Sequence, residues 1–219
     1  AIFMITLLLS SMLTLYVPQE AEAQVVPDID LTMGEAYVTL DVSPRGTGLG
    51  STTVTVFNSA VDATVKVQIT IEVAGFAVSP QFATVSVPPQ DSKTISIAVA
   101  AILRTPYRQV GGNVFAEVTQ VNGVPASGVS NAQTGFFVLS EPYGKVILQS
   151  DKPFQKVSPG KEYPFKIKVV NNGNAADTFA IEIINKDKLQ DKGYSISLSS
   201  TTTKDTDPQA YDLNTVKIQ

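Results

Sequence analysis

Thr64-Val65-Lys66-Val67-Gln68-Ile69-Thr70-Ile71-Glu72-Val73 decides the fold class. Val65, Val67, Ile69, Ile71 and Val73 fall on one side of an extended chain, with polar residues between them. A period of two marks a strand with one face in a core and one in water. Working outward, the same alternation recurs in Ser51–Phe57, Thr94–Val99, Asn113–Val118 and Phe136–Leu139. Pro88-Pro89, Gly111-Gly112, Asn122-Gly123 and Pro125 supply turn chemistry between these runs. Many short strands separated by turns predict a β-sandwich. No helical period follows residue 24.

After Ser140-Glu141-Pro142-Tyr143-Gly144, which reads as a short linker, the pattern restarts in Lys145–Gln149, Tyr163–Val170 and Thr178–Ile184. The restart is a repeat. Thr53–Asn58 followed by Val65–Ile69 echoes Lys166–Asn171 followed by Phe179–Ile183, and Gly75–Ser79 echoes Gly193–Ser197. Asn58 and Asn171 lie 113 residues apart, and Gly75 and Gly193 lie 118 apart. The expected architecture is therefore all-β: two tandem sandwiches, residues 28–140 and residues 144–219. Only 26 residues follow Gly193, so the second copy is expected to lack its last strands and the chain to be part of a longer protein.

Residues 1–23 are of another kind. The apolar run Ile2–Val17 is about 16 residues, short of the ~20 that a helix rising ~1.5 Å per residue needs to cross a bilayer. Pro18 ends it, and Ala21-Glu22-Ala23 offers the small-x-small pattern at which a signal peptide is cut. An N-terminal hydrophobic helix acting as a signal peptide, or hydrophobic leader, and an exported product are expected. The remaining ~195 residues can bury a core without a covalent staple. The chain has no Cys, so disulfides and thiolate chemistry are excluded. A net charge of −4 without a basic stripe argues against nucleic acid and against an anionic membrane surface.

Ser158-Pro159-Gly160, the alternating Tyr163–Val170, then Asn171-Asn172-Gly173-Asn174 and Asp177 resemble a recurring surface module. The pattern is similar to the NPCBM-associated Ig-like domain and to its relative CARDB, the cell-adhesion-related domain of prokaryotic surface proteins. The earlier copy, with Gly50, Asn58 and Asp62, is a looser version. The resemblance implies Ig-like sandwiches in tandem, as in surface-layer proteins, adhesins and modular extracellular enzymes. It brings no catalytic residue with it. On physical grounds, Asn172-Gly173 suits a tight turn at positive φ, and Asn171 and Asp177 suit hydrogen bonds to the amides flanking it.

The constellations that could carry chemistry are few. Without His or Cys, the Ser-His-Asp, Cys-His and ordinary zinc arrangements are excluded. Glu72 and Glu117 alternate with apolar neighbours and should face solvent rather than form a glycosidase pair. Calcium is the one plausible metal, because carboxylate and carbonyl oxygens suffice for it, and Asp28, Asp30, Asp205 and Asp207 are its weak candidates. Gly46-Thr47-Gly48-Leu49-Gly50 precedes a strand, not the helix that a phosphate cradle needs. Tyr107, Tyr143 and Tyr194 are the candidates for stacking a sugar in a chain without Trp. Ala101–Gln109 is the distinctive loop, mixing apolar, cationic and aromatic residues that suit a contact surface.

These readings lead to a non-enzymatic extracellular or cell-surface structural or adhesion module without a cofactor. Its partner would be a protein or a cell-envelope polysaccharide, and it would meet a membrane only through the leader or a C-terminal anchor outside these residues. One alternative is an accessory, spacer or carbohydrate-associated region of a larger secreted hydrolase. Another is a subunit of a surface fibre or layer that assembles by strand addition.

Overall fold

The computed structural model describes residues 26–128 and 130–219, so the expected leader over residues 1–23 lies outside the described residues. Among the described residues no helix is long and apolar enough to cross a membrane.

The chain is all-β, and its N-terminal part is an Ig-like sandwich. One sheet has the order β1 (Ile29–Met33), β3 (Leu49–Asn58), β7 (Ser92–Ala100), β5 (Ala77–Ser79). The facing sheet runs β2 (Tyr37–Leu40), β10 (Asn131–Ser140), β8 (Arg108–Val121), β4 (Val65–Val73), β6 (Phe82–Val87), with β9 (Val124–Pro125) paired to β8. The predicted inward residues of β4 do face inward: Val65, Val67 and Ile69 are fully buried. They join Val54 and Val56 of β3, Ile97 and Val99 of β7 and Val114 and Ala116 of β8 in one core. Two apolar faces brought together exclude water from both, which is what makes the pair stable.

The third sheet repeats the first. Its order is β11 (Val146–Ser150), β12 (Tyr163–Asn171), β14 (Tyr211–Ile218), β13 (Ile196–Leu198). In both sheets the second strand ends in a fully buried Asn that ties the following loop. The Asn58 amide donates to the carbonyls of Ala63, Val87 and Pro88, and its Oδ1 accepts from the Ala60 N–H. The Asn171 amide donates to Ala175 and Thr206, and its Oδ1 accepts from the Gly173 N–H. Gly75 and Gly193, paired in the sequence, both stand at positive φ, +73° and +87°. No described strand covers the third sheet as β4, β8 and β10 cover the first.

Five expectations need correction. Thr178–Ile184, the echo of β4, is not a strand: it makes only an isolated bridge from Ala180 to Thr202, beside another from Asp177 to Thr206. Its counterpart β4 has a neighbour on each side, β6 and β8. A short helix follows it, α1 (Lys186–Gln190), although no helical period announced one. Gly111-Gly112 lies inside β8 rather than in a turn. A Cβ on Gly112 would come within 2.8 Å of the Phe136 ring, so this glycine makes room for a core aromatic. The loop expected over 101–109 ends earlier, because Arg108 opens β8. Gly173 is not among the residues at positive φ. Glycine is required there by close approach: a Cβ would lie 2.5 Å from the carbonyl oxygen of Tyr143. The Asn-Gly turn at positive φ is instead Asn122-Gly123, at φ 49° and 82°, which closes the β8–β9 hairpin.

Candidate functional site: a buried joint and an aromatic sheet face

The connection between the sandwich and the third sheet is pinned rather than loose. Asn174, 4% exposed, sits in the loop after β12. Its side-chain amide donates to the carbonyls of Thr105 at 3.0 Å and Glu141 at 2.9 Å, and its Oδ1 accepts from the Tyr143 N–H at 2.8 Å. Its carbonyl accepts from the Tyr107 N–H at 3.0 Å. One asparagine thus ties the third sheet to the 101–107 loop and to the connecting segment. Nearby, the Glu141 N–H donates to Leu40, the Asn172 N–H donates to Lys145, and the Tyr143 ring packs on the edge of the sandwich core. The fit is tight enough that Gly173 has no room for a side chain. Every buried polar group satisfied at once makes such a joint a single arrangement rather than a family of them.

The second feature is the outward face of the larger sheet. Register partners share a side of a sheet, so pairing gives the layout directly. One row runs Phe82, Thr70, Phe115, Gln133 across β6, β4, β8 and β10. Phe82 is 66% exposed and Phe115 39%. Two residues further along the strands, ~7 Å away, lies a row of Glu72, Asn113 and Gly135. Beyond it is a second aromatic row, Gly111, Phe137 and Tyr37, in which the two rings stack with centroids 5.4 Å apart. On the opposite side of the Phe115 row are Gln68, Glu117 and Asn131. Hollows of about 440 and 450 Å³ meet at Thr70 on this face. A Cβ on Gly111 would meet nothing within 4 Å, so the floor beside Phe137 is open.

Glu72 and Glu117 both project from this face, but Glu72 is opposite Asn113 and Glu117 opposite Gln68. Four residues separate those positions along β8, about 13 Å, which exceeds the ~5–9.5 Å of a glycosidase pair. Asp28 and Asp30 lie at β1, Asp205 and Asp207 in the loop before β14, and no group of three possible ligands gathers among the described residues. The Gly46–Gly50 segment leads into β3. In the turn before it, the Ser43 hydroxyl and amide hold the Asp41 carboxyl below its usual range. Of the three tyrosines, Tyr143 is half-buried against the core, Tyr107 is exposed beside the joint, and Tyr194 follows the positive-φ Gly193. Sequence reading missed Asn174 and all four outward aromatics. The aromatic signal was present: Phe115 sits on the polar side of the alternation Val114, Ala116, Val118, and only one of Phe136-Phe137 can face inward.

No family model and no curated protein matches this chain. Solved structures with which it shares a likeness include a protein of unknown function from Porphyromonas gingivalis W83, at 11% identity, 86% of this chain, 83% of that one and a TM-score of 0.35. Another is WR4, a Caenorhabditis elegans MSP family member, at 7% identity, 51% and 97% coverage and a TM-score of 0.34. A third is the Escherichia coli chaperone DraB, at 15% identity, 84% and 83% coverage and a TM-score of 0.30.

Proposed function

We propose that this chain is a non-enzymatic, exported structural or adhesion module of the cell surface, built from Ig-like units in tandem. The observation that carries the reading is the joint at Asn174. A surface spacer must hold its units at a fixed angle, and a buried side chain bonded to both sides does so without a covalent link. The composition supports the same reading: with neither His nor Cys, the common nucleophile and base pairs cannot be assembled from these residues. The Ala21-Glu22-Ala23 pattern after an apolar run supports export.

Because the chain has no Cys, spin labels can be placed cleanly. Labels at Ser86→Cys, on the sandwich, and Lys166→Cys, on the third sheet, are expected to give one narrow distance distribution that broadens with Asn174→Ala. A broad distribution in the parent would contradict the rigid-spacer reading. Mass measurement of the exported product is expected to place its first residue at Gln24, and retention of the intact leader in the cytoplasm would contradict export.

A further inference from the structure

We propose that the outward face of the larger sheet, around Phe115 and the Phe137–Tyr37 pair, binds a neutral, hydroxyl-rich polysaccharide. This deepens the surface-module reading by naming its partner, and it depends on that reading only for the compartment.

Four aromatic rings project from one sheet face into solvent, two of them stacked on each other. A ring costs little conformational freedom to hold in place and offers a flat apolar surface. Alone, such rings would suit any apolar partner. Here the aromatic rows alternate with rows of planar polar groups: Gln68 and Glu117 on one side of Phe115, Glu72 and Asn113 on the other. Among the described residues none of these four side chains has a hydrogen-bond partner, so their donors and acceptors are available to a ligand. A sugar ring has the same division. Its C–H faces are apolar and its rim is crowded with hydroxyls, each both donor and acceptor, which amides and carboxylates can bind in pairs.

Charge narrows the class. Glu72 and Glu117 bring two carboxylates to the centre of the face, while Lys66 of β4 stands at the end near Ser86 and Gln120. A polyanion would meet repulsion where its contact should be closest. A second copy of this chain is also disfavoured. Face-to-face packing would bring the carboxylates Glu72 and Glu117 of both copies into one interface, where like charges repel. The layout suits an extended chain more than a single small ring, because Phe115 and the Phe137 position differ by four residues along β8, about 13 Å. Between them lies the row of Glu72, Asn113 and Gly135, and Gly111 leaves open space beside Phe137 for a sugar unit.

The test is migration of the full chain in native gels containing hydroxyethylcellulose, xylan or glucomannan, with alginate as the polyanion. Retardation is expected in at least one neutral gel and not in alginate. Phe115→Ala is expected to weaken it about two- to twelvefold, the loss that ~0.5–1.5 kcal/mol of ring contact implies. Tyr211→Ala, an exposed tyrosine on the third sheet, is expected to leave it unchanged. Should Phe115→Ala unfold, Asn113→Ala and Gln133→Ala carry the same comparison. No retardation of the folded chain in any neutral gel, retardation that ignores these substitutions, or a preference for alginate would each overturn the proposal. A narrow spin-label distance in the same preparation would show that such a failure leaves the spacer reading intact.

Discussion

The β1-β3-β7-β5 sheet and the β11-β12-β14-β13 sheet are the same object in different surroundings. Both have the same strand order, and both anchor the loop after their second strand with a fully buried Asn. What differs is the cover. Val54 and Val56 of β3 face β4, β8 and β10 and are fully buried. The corresponding residues of β12 are Ile167, which remains partly exposed, and Val169, which is 1% exposed. The contrast separates two things that alternation conflates. A period of two specifies a sheet with an apolar face, while a core requires a second sheet laid against it. The hollow of about 470 Å³ lined by Ile181, Ile183, Ile196 and Leu198 lies on the less covered side.

The comparison can be broken most forcefully at its apolar faces. Ile69→Ala, at a fully buried position of β4, is expected to cost about 3–4 kcal/mol in a denaturant titration, as large-to-small core changes do. Ile167→Ala on the partly exposed β12 should cost less than about 2 kcal/mol. Equal costs would mean that the third sheet is as well covered as the first. Next come the paired asparagines. Asn58→Ala and Asn171→Ala each strand backbone carbonyls, and each is expected to lower stability by about 2–3 kcal/mol. A loss confined to Asn58→Ala would show that the two loops are not energetically alike.

Gly173 sharpens the contrast between crowding and backbone strain. Gly173→Ala and Gly173→Val are both expected to destabilise by about 1–3 kcal/mol, because the first carbon already collides with the backbone of Tyr143. A harmless Gly173→Ala, measured by thermal melting, would contradict the close approach. The smallest effect belongs to the exposed pair Lys217–Glu162, 3.0 Å apart across β14 and the start of β12. Lys217→Ala should change stability by less than about 0.5 kcal/mol, with little salt dependence. A larger loss would mean that the outer edge of the third sheet depends on this ion pair.

How much was legible follows from where information resides in the chain. The long strands β3, β4, β7 and β10 alternate cleanly and were readable, because one face of each is buried on the other sheet. β5 and β9 are too short to show a period. The glycine pair in β8 reads as a turn until the position of Phe136 is known, since the need for space comes from another strand. The repeat was readable at Asn58 and Asn171 and at Gly75 and Gly193, where the backbone makes the same demand twice. Thr178–Ile184 misled because local alternation says nothing about neighbours. Asn174 was read only as part of an Asn-rich turn, because its partners Thr105 and Glu141 are 69 and 33 residues away. The rings that share one face are mostly phenylalanines at outward positions, not the tyrosines of the loops.

Amide hydrogen exchange on the full chain tests the role of the cover most directly, since protection reports the local free energy of opening. The interior amides of β4 and β8 are expected to exchange slowest, and those of β12 and β14, hydrogen-bonded in an equivalent sheet but less covered, orders of magnitude faster. Equal protection of the two sets would contradict that role.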